Sequence, residues 1–212
     1  MPTDMAMVPA FVYGFILGFG LLFAIGAQNA FILRHGLARQ HVFAIALFCA
    51  VADAFLIILG IAGLSLWVSH VVAEYEQWLF GGAALWLTGY GLMRLRGAIK
   101  GQTALADDQS APVALAPTLA MLAVLTFGNP HVYLDAMVLI GAVSIAYEGA
   151  AKIAYGAGAV TASFVFFFAL AYGAALLAPQ MRRPGAWRIL DGGIALIMFV
   201  LALAMARAGN LI

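Results

Sequence analysis

Six apolar stretches, at roughly 8–33, 41–69, 77–96, 115–146, 151–178 and 186–207, dominate the chain. Each is about the ~20 residues that a helix needs to cross the hydrocarbon core of a bilayer, or longer. Backbone polar groups in lipid must be bonded within the chain, so such stretches are read as helices; the short alternating segments of a membrane barrel are absent from the sequence. Only 9% of the 212 residues are charged and mean hydropathy is +1.05. A soluble domain carries about 25% charged residues, which excludes an ordinary cytosolic enzyme or a disordered tail. A formal net charge of +1 gives no reason to expect a nucleic-acid partner. The single cysteine, Cys49, supplies neither a disulfide framework nor a zinc motif. No lysine or arginine precedes Arg34, and the first apolar run is longer than the core of a signal peptide, so it is read as a retained span.

The fold expected is therefore an all-α integral membrane protein of six spans. The one long polar connection, 97–114 (GAIKGQTALADDQSAPVA), separates a first three-helix half, 1–96, from a second, 115–212. Eight of the ten basic residues fall at alternate connections: Arg34 and Arg39, then Arg94, Arg96 and Lys100, then Arg182, Arg183 and Arg188. The positive-inside rule places these in the cytoplasm and both termini outside. With three spans per half, the second half enters from the opposite face, as in the inverted repeats of secondary transporters. Self-similarity across the seam agrees in order. Gly81-Gly82 and Arg96 match Gly192-Gly193 and Arg207 at an offset of 111, the run from Ala54 matches that from Ser163 at 109, and Asn29 matches Asn129 at 100.

Charged side chains deep in a span usually face a bundle interior or a cavity. Asp53 in CAVADAFLI and Asp135 in NPHVYLDAMVL are read as two such carboxylates, with no lysine or arginine expected at their depth. They are expected to be protonated, solvated, or matched by a cation from outside the protein; the alternative is a carboxyl bonded only to a neighbouring helix. Gln28 and Asn29 in GAQNAF, and Asn129 and Pro130 in FGNPHVY, coincide with helix-weakening Gly26 and Gly128. Two broken helices at equivalent positions are predicted, whose free backbone groups suit an amino-acid zwitterion; a kink used only for packing is the alternative. His131 is read either as part of a proton path or as a neutral core histidine. No nucleophile with its base, cysteine pair, metal set or opposed haem ligands is seen, so no enzyme, cofactor or metal is expected.

The tract Gly14–Gly63, GFILGFGLLFAIGAQNAFILRHGLARQHVFAIALFCAVADAFLIILGIAG, and the tract Leu125–Ser144, LTFGNPHVYLDAMVLIGAVS, closely resemble the signatures of the LysE/ArgO family of basic amino-acid exporters. The resemblance covers nearly the whole chain. It implies secondary active export of L-lysine and L-arginine across the bacterial inner membrane, driven by the proton gradient or the membrane potential. It also implies that Asp53, Asp135, Asn129 and Pro130 are the family's signature residues. The partners expected are the bilayer, protons and a small basic amino acid, with a homo-oligomer left open. The rival readings are an exporter of neutral amino acids or other small metabolites and, more distantly, a membrane redox or assembly protein.

Overall fold

A computed structural model describes residues 2–22, 26–64, 70–71, 73–100, 114–179 and 184–211. Among these residues every regular element is helical. In chain order they are α1 (Pro2–Leu22), α2 (Ala27–Leu37), α3 (Val42–Leu59) with a π-helical extension (Gly60–Leu64), α4 (Glu76–Lys100) and α5 (Leu115–Phe127). There follow α6 (Pro130–Tyr133), a π-helical segment (Leu134–Leu139), α7 (Ile140–Ser144), α8 (Gly149–Leu177) and α9 (Pro184–Ala208).

Three stretches are long and apolar enough to cross a membrane: Val42–Leu64, Gly149–Leu177 and Gly185–Ala208. Two further pairs, Met7–Leu22 with Ala27–Leu37 and Leu115–Phe127 with Pro130–Ser144, qualify only when taken together across a break, which makes up to five. The sequence expectation of six includes α4. Its EQWLFGGAALWLTGYGLMRLRGAIK is diluted by glycines, Thr88, Tyr90 and two arginines and does not meet that standard. Most of the 97–114 connection, residues 101–113, lies outside the described residues, as do Arg182 and Arg183.

The chain divides into two compact units, each drawing segments from both sides of that connection. Unit 1 comprises Met1–Ala24, Ala46–Glu74 and Asn129–Ala169; unit 2 comprises Ile25–Ile45, Tyr75–Gly128 and Leu170–Ile212.

Unit 1 is held by small residues that let backbones touch, the usual solution where lipid removes the hydrophobic drive between helices. Gly14 lies against the Tyr155 carbonyl, Gly18 against Ala159, and Gly158 against Phe11 and Phe15. Residue numbers rise together along these contacts, from the Tyr13–Tyr155 stack to the Phe19–Phe166 edge contact, so α1 and α8 run parallel. Around them Leu56, Ile57, Met137, Ile140 and Tyr155 form a buried core. Tyr155 is fully buried; its hydroxyl donates to the Ile140 carbonyl (3.2 Å) and its ring stacks on Tyr147 at 5.0 Å.

Unit 2 is organised by α4 and α9. Gly81 meets Leu211, Gly91 meets Met198 and Phe199, and Gly97 meets Asp191. Numbers fall along one helix as they rise along the other, so the pair is antiparallel.

Candidate functional site

Asp53 sits on α3 between small neighbours, buried in unit 1. Its Oδ2 accepts a hydrogen bond from the Ser163 hydroxyl of α8. The contacts Asp53–Ser163 and Ile61–Gly156 show that α3 and α8 are antiparallel, which sets the serine opposite the carboxylate. A buried carboxylate with one neutral donor is only partly compensated.

Asp135 belongs to the same unit as Asp53, on a segment that packs against the extension of α3 at Gly60 and Met137. Two local features place it. Asn129 has extended backbone (φ −99°, ψ 111°), and Pro130 follows as the first helical residue, where a missing N–H costs no hydrogen bond. The Asn129 side-chain oxygen caps the new helix by accepting from the His131 N–H at 3.1 Å. The helix then widens into the π-helical segment that carries Asp135, a local form often found at functional sites. This segment passes the π-helical extension of α3 so closely that a Cβ on Gly60 would lie 2.7 Å from the Met137 Cα. Asp135 is half-buried, and exposed His131 stands one turn before it. Among the described residues, no lysine or arginine forms an ion pair with either aspartate.

The helix starts predicted from Gly26 and from Asn129-Pro130 are both present; Gly26 is the extended residue (φ −100°, ψ 176°) before α2. Five predicted site residues, Asp53, Asp135, Asn129, Pro130 and His131, belong to unit 1, whereas Gln28 and Asn29 on α2 belong to unit 2. The Gln28 Nε2 is buried with no hydrogen-bond partner among the described residues. With its oxygen already accepting once at the cap, Asn129 has its amide NH2 and the second lone pair of that oxygen to offer a ligand.

Sequence reasoning counted two carboxylates within the spans, and the structure adds a third. Asp191 on α9 is buried and pairs with Arg34 on α2, while Arg94 on α4 stands 3.8 Å from the same oxygen. Arg34 also lies 5.4 Å above the Trp187 ring and Arg94 4.9 Å above Tyr90. These arginines had been counted with the connections as topological markers, but both are inside helices and mostly buried. An acid six residues into a predicted span, with arginines near the ends of two others, was the signal available. Ser163 was also missed: one serine in an apolar helix carries no distinctive signature.

The LysE type translocator family model matches residues 19–209. A Mycobacterium tuberculosis protein provisionally named an amino-acid transporter is 41% identical over 182 residues, 86% of this chain and 89% of its own length. The arginine exporter protein ArgO of Pectobacterium carotovorum is 35% identical over 205 residues, covering 96% of this chain and 99% of its own. Its namesake in Salmonella enteritidis is 34% identical, covering 96% of each. No solved structure matches the chain. A family model matched from residue 19 to residue 209 and relatives 34–41% identical over most of both chains give one assignment: this chain belongs to the LysE type translocator family.

Proposed function

We propose that the protein is a secondary active exporter of basic L-amino acids, arginine and lysine, across the bacterial inner membrane, coupled to the proton gradient or the membrane potential. The observation that carries this reading is the pair of carboxylates, Asp53 and Asp135, in one apolar unit with no ion-pair partner from lysine or arginine among the described residues. Such a pair favours a cation supplied from outside the chain, either the guanidinium or ammonium of a substrate or a proton. The names of the Pectobacterium and Salmonella relatives point to arginine. In this reading Asp53 and Asp135 hold the cationic group or the coupling proton. Gln28, Asn29 and Asn129, with backbone exposed at the break before Pro130, hold the α-amino and carboxylate groups, and His131 relays protons to Asp135. Growth tests the proposal: in a strain lacking its own exporter, expression should confer resistance to canavanine and thialysine. Sensitivity equal to the empty vector, with the protein present in the membrane, would contradict it.

The proposed topology is six spans in two inverted halves, 1–96 and 115–212, with both termini outside. It is supported by α4 lying antiparallel along α9, as spans three and six must, and by α1 running parallel to α8, as spans one and five must. A periplasmic reporter fused after Ile212 should be active and a cytoplasmic reporter there silent; the reverse would contradict the six-span reading.

A further inference from the structure

We infer that the arginine cluster of unit 2 is a carboxylate-binding site and that it, rather than the amides of Gln28, Asn29 and Asn129, takes the α-carboxylate of the exported amino acid; the identity of that ligand rests on the export reading above. The first ground is charge. Arg34 and Arg94 share a single carboxylate, Asp191, and even a single oxygen of it. Arg34 takes the direct ion pair; Arg94, at 3.8 Å, is beyond hydrogen-bond distance. The three side chains are 13%, 18% and 7% exposed, so among the described residues the cluster holds one unbalanced positive charge largely out of water. Leaving a buried charge unpaired is costly, and one further monoanion would neutralise it. A phosphate carrying two charges would overshoot, whereas a carboxylate fits.

The second ground is unused donors. The Arg94 Nε is buried with no hydrogen-bond partner among the described residues, and the buried Tyr90 hydroxyl meets no acceptor there, only the Arg94 guanidinium, itself a donor. They are adjacent, since the Arg94 guanidinium lies 4.9 Å above the Tyr90 ring. That ring is fixed by stacking on Trp86 at 5.6 Å and 5°. Arginine grips a carboxylate through two parallel N–H groups, and Nε is one of the usual pair. One carboxylate placed there accepts from Arg94 Nε and from the Tyr90 hydroxyl while Asp191 stays with Arg34.

The test is binding to the purified full-length protein, read as thermal stabilisation by arginine, by agmatine (arginine without its carboxylate) and by acetate. Arginine should bind at least about tenfold tighter than agmatine, the worth of one charge-assisted hydrogen bond. That preference should shrink severalfold in Tyr90→Phe, which keeps the ring under the guanidinium, and vanish in Arg94→Gln, with agmatine affinity unchanged in both. Equal wild-type affinity for arginine and agmatine, or a preference intact in Tyr90→Phe and Arg94→Gln, would overturn the site. If neither arginine nor agmatine binds, the export reading fails and acetate decides the site. Acetate stabilisation lost in Arg94→Gln upholds a carboxylate site, and stabilisation that is absent or unaffected by the substitution overturns it.

Discussion

Asp53→Asn is expected to reduce arginine export by one to two orders of magnitude while the protein remains folded in the membrane. The substitution keeps the size of the side chain and its ability to accept from Ser163, but it cannot ionise. A lost charge-assisted contact to a guanidinium or ammonium costs about 1.5–3 kcal/mol, which is about one to two decades. If Asp53 carries the coupling proton instead, gradient-driven export fails and exchange of labelled for unlabelled substrate persists. Asp135→Asn should behave alike, because the two carboxylates lie in one unit and would act on one cation. For the same reason the double variant should be little worse than the worse single, since residues acting as a unit are not additive. Initial export rates at matched protein level check this. Near-normal rates in either single variant would leave that aspartate with a packing role alone.

The other large effect expected is structural. Gly158→Leu should abolish stable assembly of unit 1, because even a Cβ at that position overlaps the Phe11 carbonyl and comes within 2.9 Å of the Phe15 nitrogen. Overpacking typically costs about 1–3 kcal/mol where side chains can move, and here the obstacle is backbone. Size-exclusion profiles and melting of the detergent-solubilised protein provide the measurement. Gly82→Ala is the control: nothing lies within 4 Å of its Cβ position, and alanine is the better helix former by about 1 kcal/mol. Equal melting of the Gly158→Leu protein and wild type would mean that α1 and α8 do not meet as described.

How much of this could be read in the sequence depends on how local the cause is. The starts of α2 and α6 were legible because glycine and proline act on their own backbone: Gly26 and Asn129-Pro130 need no partner to interrupt a helix. Asp53 and Asp135 were legible because a carboxylate in an apolar run is conspicuous by itself. Their proximity was not, since it depends on the π-helical segments Gly60–Leu64 and Leu134–Leu139, which have no sequence signature and arise where backbones cross at Gly60 and Met137. Arg34, Arg94 and Asp191 were visible as charges, but the ion pair joins residues 157 apart. No periodicity reports a pairing over that distance, so the arginines read as loop markers and Asp191 went unread.

The most direct measurement is uptake of labelled arginine by inside-out membrane vesicles containing the protein, energised by respiration and competed with unlabelled lysine or leucine. The account predicts saturable uptake above vesicles lacking the protein, suppressed by lysine but not by leucine, abolished when the gradients are collapsed, and crippled by Asp53→Asn. Uptake no greater than in vesicles without the protein, or uptake that leucine suppresses as well as lysine does, would contradict it.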